Sequence, residues 1–96
     1  MRSIRIQFTQ NMDSKTINTQ NIRLWDYGFV SEPLPNAIPV GGKHSIVKIS
    51  GSIYHFNTNA SFYPNRRYGL SFSSAIKDDL GLSILQQTKT WSVPNA

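Results

Sequence analysis

The sequence predicts an all-β fold, an antiparallel sandwich of six to seven short strands. Residues 4–9 and 68–73, near the two ends of the chain, place apolar side chains at every second position, which is typical of strands with one buried face. Further short apolar runs recur at intervals of roughly ten residues between turn-forming residues, the spacing of small sandwiches. The chain has 96 residues, so we expect a single domain over residues 1–96.

Alternation assigns the strands and their inward faces. The first strand is predicted over residues 3–9. It is followed by a short helical turn through residues 16–18 that Asp13 or Ser14 is expected to cap, because both side chains accept hydrogen bonds from backbone N–H groups. The other strands are predicted over residues 21–25, 45–49, 53–56, 68–73 and 87–93. The residues predicted to face the core are Ile4, Ile6, Phe8, Ile22, Leu24, Tyr54, Phe56, Tyr68, Leu70 and Phe72, with Trp91 and Val93 sharing a face.

Residues 26–42 are dense in strand-breaking residues. This segment holds Pro33, Pro35 and Pro39 together with three glycines. Proline has no N–H to donate to a neighbouring strand, so it is confined to the edges of sheets. We therefore expect no central strand here, and at most a short edge strand over residues 37–40.

Composition narrows the class of protein. Charged residues make up only 16% of the chain, below the roughly 25% of an average domain, and Ser, Thr and Asn fill many polar positions, which favours an extracellular protein. The net charge is +5, but the ten basic residues are scattered, so we expect no specific nucleic-acid binding. No cysteine is present and no apolar run reaches the ~20 residues of a membrane helix, so neither a disulfide framework nor membrane insertion is expected.

Several short motifs occur in an order that resembles a known family, the bacterial Ig-like domains of the S-layer-protein type. The motifs are FTQNMD at 8–13, NIRL at 21–24, FYPNRRYGLSF at 62–72, IKDDLG at 76–81 and WSV at 91–93. The resemblance implies an Ig-like sandwich from a bacterial secreted or cell-surface protein. The chain enters its first strand directly, without a signal peptide, so we expect a module of a longer secreted precursor.

Members of that family have a further strand ahead of the one that begins this chain. We therefore expect that the first strand of the family pattern is missing and that the sheet beside residues 4–9, or its partner sheet, has an edge of unpaired backbone groups. Such an edge recruits another strand. The expected consequence is weak self-association, a swapped strand, or pairing with an adjoining segment of the parent protein.

The residue types that carry catalysis or bind metals are sparse. His44 and His55 are separated by a glycine turn and lack a carboxylate cluster, so no zinc site is predicted. The five acidic residues show no spacing typical of a glycosidase pair, and the serines at 73 and 74 resemble a nucleophile near Lys77 only superficially. Asp78 and Asp79 suggest a calcium site, but two adjacent carboxylates supply too few oxygens, and we favour a hydrogen-bonded turn. We expect no enzyme, no cofactor and no metal.

Outward aromatic residues form the one candidate binding surface. Trp25 alternates with inward Leu24, and Tyr27 and Phe29 follow at the same spacing, with Arg23 alongside. Such a series suits a sugar ring or a protein partner. The alternative is that these residues cover the edge left by the missing strand.

The sequence thus leads to two hypotheses of different class. The first is a non-catalytic structural or spacer module whose partners are the neighbouring domains of a longer chain. The second is an adhesin-type or carbohydrate-binding module that uses Arg23, Trp25, Tyr27 and Phe29 to hold a glycan or protein ligand.

Overall fold

The computed structural model describes residues 2–93 and contains seven strands in two antiparallel sheets. The strands are β1 (Arg2–Gln7), β2 (Ile22–Phe29), β3 (Pro33–Pro39), β4 (His44–Lys48), β5 (Ile53–Thr58), β6 (Arg66–Phe72) and β7 (Gln87–Ser92). One sheet has the order β1-β5-β4 and the other β3-β2-β6-β7. This confirms the predicted all-β, Ig-like sandwich.

The inner faces of the two sheets supply one shared core. The period-two predictions for β2, β5 and β6 are confirmed, because their inward residues are at most 7% exposed. In β1, Ile6 is buried, whereas Ile4 and Phe8 are only partly buried against the core. Burying a side chain of this size contributes about 1.5–3 kcal/mol, so the apolar layer between the sheets is the main source of stability.

β6 lies between two neighbours and organises the larger sheet. It pairs with β2 on one side and β7 on the other, and its inward residues Tyr68, Leu70 and Phe72 are all buried. The hydroxyl of Tyr68 accepts a hydrogen bond of 3.0 Å from the backbone N–H of Tyr63, five residues upstream. A tyrosine near the start of this strand that bonds back to the preceding corner is a hallmark of Ig-like sandwiches.

A short helical turn is present as a 3₁₀ helix over Ser14–Thr16, two residues earlier than the predicted residues 16–18. Its N-cap is Asp13, whose side chain accepts a hydrogen bond from the backbone N–H of Lys15. The prediction that Asp13 or Ser14 would cap this turn is therefore confirmed, with Asp13 in that position.

The structure corrects the expectation for residues 26–42. β2 continues past Asp26 to Phe29, and β3 spans Pro33–Pro39, which is longer than the predicted edge strand. The prolines are accommodated because β3 pairs only with β2 and lies at the edge of its sheet. Gly28 makes the connection compact: it has a φ of +88°, and a Cβ there would lie 2.7 Å from Leu34 Cγ.

Tyr54 combines full burial with an unsatisfied polar group. Only 2% of the residue is exposed, and its hydroxyl has no hydrogen-bond partner among the described residues. Burial, and then the negative charge of Asp13, raise the pKa of this phenol above its ordinary value of 10.0. The folded state thus favours the protonated phenol more strongly than the unfolded state does.

Replacing Leu70 by Ala is expected to lower the free energy of unfolding by about 2–4 kcal/mol, because Leu70 is 3% exposed and its removal leaves a cavity between the sheets. Leu80→Ala is the matched control, since Leu80 is 78% exposed, and it should change stability by less than about 0.5 kcal/mol. Urea unfolding of both variants measures the difference. Equal effects would place Leu70 outside the core.

Replacing Tyr54 by Phe is expected to leave stability near neutral pH unchanged or to raise it by up to about 1 kcal/mol, because the change removes a buried hydroxyl that has no partner. The raised pKa means that the unfolded state loses the proton first, so the stability from the neutral phenol is present below pH ~10 and falls as pH rises through the folded-state pKa. Denaturant unfolding between pH 7 and 11 should show a shallower alkaline decline for Tyr54→Phe. Parallel pH profiles would contradict this.

Candidate functional site

The outer face of the four-stranded sheet carries three of the predicted binding residues. Arg23 pairs with Ser71 across β2 and β6, and Trp25 pairs with Gly69, so both side chains point away from the core. Trp25 is half-buried, and its Nε1–H donates a hydrogen bond of 2.8 Å to Ser71 Oγ. We call Arg23, Trp25 and Tyr27 the outer-face platform.

Gly69 allows the platform to lie flat on the sheet. A Cβ at this position would lie 2.8 Å from Cε2 of Tyr27 and 3.1 Å from Cγ2 of Thr90. The ring of Tyr27 therefore packs across β6 in the space that a side chain would occupy, and Tyr27 is half-buried there. The platform is anchored to its own sheet by this contact and by the Trp25–Ser71 hydrogen bond.

Phe29 does not share this face, which corrects the expected series. The β2–β6 register shifts between Asp26 and Gly28, so a bulge interrupts the alternation after Trp25. Phe29 consequently pairs with Arg66, which lies two residues before inward Tyr68 and therefore on the same face of β6. The guanidinium carbon of Arg66 lies 4.5 Å from the centre of the Phe29 ring.

Asp26 and Arg66 form an ion pair beside Phe29 at this end of the sandwich. Arg66 Nη2 donates to Asp26 Oδ2 at 3.0 Å, and the pairing raises the pKa of Arg66 above its usual value. Asp26 Oδ1 also accepts the N–H of Gly28 at 2.8 Å. The pair therefore fixes the bulge rather than presenting a free charge to a ligand.

The platform does not cover the free edge of β1. β2 lies inside the four-stranded sheet, whereas β1 is an edge strand of the other sheet. The alternative that Trp25 and Tyr27 shield the gap left by a missing strand is therefore wrong. The platform is a separate surface.

The loop that follows β6 is organised by a buried carboxylate. Asp78 is 1% exposed, and its oxygens accept hydrogen bonds from the backbone N–H groups of Leu80 and Leu82 and from Gln10 Nε2, at 2.8–2.9 Å. Backbone bridging between Met12 and Asp78 joins this loop to the loop after β1. The turn interpretation accounts for Asp78, since N–H donors surround both of its oxygens.

The histidine and acidic side chains of the described residues form no cluster that could bind a metal ion. His44 Nε2 donates to the carbonyl of Val40 at 2.9 Å, and His44 Nδ1 lies in a hydrogen bond of 2.8 Å with the hydroxyl of buried Thr58, so both ring nitrogens form hydrogen bonds within the fold. Among residues 2–93, no three His, Asp or Glu side chains lie close enough together to hold a metal ion. The same residues contain no helix long and apolar enough to span a membrane.

Replacing Asp78 by Ala is expected to lower the free energy of unfolding by about 2–4 kcal/mol, because it removes a buried carboxylate that accepts from two backbone N–H groups and from Gln10 Nε2. Asp79→Ala is the matched control, since Asp79 is exposed, and it should have little effect. Thermal unfolding with and without millimolar calcium completes the test. A calcium-dependent rise in melting temperature that Asp78→Ala abolishes would contradict the turn interpretation.

Comparison with known proteins agrees with this geometry. The family model described as "Bacterial Ig-like domain" matches residues 1–93, which include all seven strands. No curated protein matches the chain. Domains of this family are generally non-catalytic structural modules and occur in bacterial surface and extracellular proteins. The chain belongs to the bacterial Ig-like domain family.

Proposed function

We propose that this domain is a non-catalytic spacer or scaffold module of a bacterial secreted or cell-surface protein, of the S-layer-protein type, and that its direct partners are neighbouring domains of the same polypeptide. The observation that carries the proposal is the family match over residues 1–93, combined with a sandwich in which the candidate reactive side chains hold the fold. A spacer needs a rigid body more than it needs a pocket.

Both ends of the sandwich are held by side-chain hydrogen bonds, which supports a rigid unit. At the end where β1 finishes, Asp78 ties its own loop to Gln10. At the opposite end, Arg66 holds Asp26, and Tyr68 holds the corner at Tyr63. Loops fixed in this way transmit force or position between attached domains with little internal movement.

The outer-face platform favours a second candidate, an adhesin-type or carbohydrate-binding surface. Trp25 and Tyr27 lie side by side on an open sheet face with exposed Arg23 next to them, and aromatic rings with a nearby cation suit a sugar or a protein partner. Phe29 does not belong to this surface. The anchoring of Trp25 to Ser71 and of Tyr27 on Gly69 favours the structural role for both rings.

Stability and binding measurements on the same variants distinguish the two candidates. If the platform is structural, Trp25→Ala should lower the free energy of unfolding by about 1–3 kcal/mol, because a half-buried ring and its hydrogen bond are lost. Arg23→Ala should leave stability nearly unchanged, since Arg23 is exposed. Neither Trp25 nor Trp91 fluorescence should then respond to a panel of bacterial cell-wall glycans.

The opposite pattern would favour the binding surface. A saturable fluorescence change that Arg23→Ala removes, in a protein of unchanged melting temperature, would contradict a purely structural platform. Trp91 provides the internal control, because it packs 5.9 Å from Phe62 and 6.4 Å from Tyr68 on the core side of β7, away from the platform.

A further inference from the structure

An apolar groove runs between the edge strands of the two sheets. β1 and β7 are edges of different sheets, and a groove of about 250 Å³ lies between them. At one end it adjoins a second space of about 400 Å³ that reaches Leu85, a leucine 86% exposed to solvent. The apolar side chains that line the first part are Ile4, Ile6, Phe8, Leu70, Phe72 and Trp91.

The outer edge of β1 offers a ready row of backbone groups. Phe8 N–H donates to Ser52 O, and Phe8 continues the register in which Ile6 pairs with Tyr54 and Ile4 with Phe56. Antiparallel ladders alternate, so Ile4, Ile6 and Phe8 exchange hydrogen bonds with β5. The N–H and C=O groups of Ser3, Arg5 and Gln7 therefore point away from β5, toward the groove.

The other seam of the sandwich is closed by the chain itself. There the segment between β3 and β4 crosses from one sheet to the other, Val40 packs against the core, and Val40 O accepts from His44 Nε2. The connection from β1 to β2 crosses between the sheets beyond the end of β1, and a groove of about 250 Å³ remains between β1 and β7. Among residues 2–93, no strand covers this groove.

Charge on the groove selects among the strands that could cover it. Arg5 and Lys89 line it, and no carboxylate is among its lining residues. Lys89 pairs with Leu70, which places its side chain on the core side of an edge strand. Three of the four edge strands, β1, β4 and β7, contain Arg or Lys and no acidic residue, so edge pairing among them in two copies would bring like charges together. The fourth, β3, is uncharged, but its three prolines have no N–H to donate to an added strand.

We propose that the seam between β1 and β7 is an acceptor site for one extended strand of another polypeptide segment, with apolar residues at alternate positions, one carboxylate at the end of this apolar face and one on the opposite face. Its backbone pairs with Ser3, Arg5 and Gln7, and its apolar side chains fill the groove. The carboxylate on the apolar face meets Lys89, which points to the core side of β7, and the other carboxylate meets Arg5 on the outer face of β1. Strand addition to an exposed sheet edge gains affinity from backbone hydrogen bonds and specificity from alternate side chains. This proposal does not depend on whether the domain acts as a spacer or as a binding module.

Titration with synthetic peptides tests the site. The probe is a ten-residue peptide in which valine and threonine alternate, with one aspartate in place of the last valine and one in place of a central threonine. Binding is followed by calorimetry and by the fluorescence of Trp91. We expect saturable one-to-one binding, weakened at least about fivefold when the peptide residues are scrambled or the aspartates become lysines. The proposal would be overturned if the scrambled peptide bound as tightly as the designed peptide.

Three variants locate the site on the protein. Lys89→Glu should weaken the acidic peptide at least about fivefold and improve the lysine peptide, whereas Lys48→Glu, on an edge strand outside the groove, should change binding by less than about twofold. Gln7→Pro removes an outward N–H and spares the β1–β5 ladder, so it should weaken binding about two- to tenfold. If Gln7→Pro does not fold, the site is tested by comparing the binding of the acidic peptide and of the lysine peptide to Lys89→Glu.

The state of the free protein completes the test. Sedimentation at rising concentration should show a monomer. A dimer that the acidic peptide cannot dissociate would make a second copy the occupant and overturn the proposal. If Lys89→Glu bound the acidic peptide as tightly as the unchanged protein does, the charge recognition in the proposal would be contradicted.

Discussion

The apolar layer between the two sheets is the interaction on which this domain depends. Tyr54 and Phe56 of β5 meet Leu24 of β2 and Leu70 and Phe72 of β6, and each of these residues is at most 7% exposed. A two-sheet sandwich exposes this layer along both seams unless chain crosses them. Among residues 2–93, the connection between β3 and β4 closes one seam, and the seam between β1 and β7 holds a groove. The apolar layer that stabilises the domain therefore also lines this groove.

Alternation predicted most of the fold because it reports burial directly. In β1, β5 and β6, one face is directed to solvent and the other to the core, so the inward residues could be predicted from the sequence. Residues 26–42 were misjudged because proline excludes a strand only where an N–H must be donated, and β3 lies at an edge. Whether a strand lies at the edge or in the centre of a sheet depends on its tertiary pairing, and local composition does not reveal that pairing.

The candidate surfaces were less predictable because they depend on register. Arg23 and Trp25 were assigned correctly to the outer face, but a one-residue bulge before Gly28 turned Phe29 to the other side, and no local signal distinguished that glycine from a loop glycine. The free edge was expected in the sheet of β1 or in its partner sheet, and β1 is an edge strand in the structure. The groove beside it could not be foreseen, because it requires β1 and β7 to lie at the same seam of two different sheets.

Amide hydrogen exchange along β1 in the free protein tests the open seam most directly. The account predicts an alternating pattern, in which the amides of Ile4, Ile6 and Phe8 exchange slowly because they bond to β5, and those of Ser3, Arg5 and Gln7 exchange rapidly because they face the groove. Uniformly slow exchange from residue 3 to residue 8 in a monomer would contradict it, since a segment of the chain itself would then cover the edge.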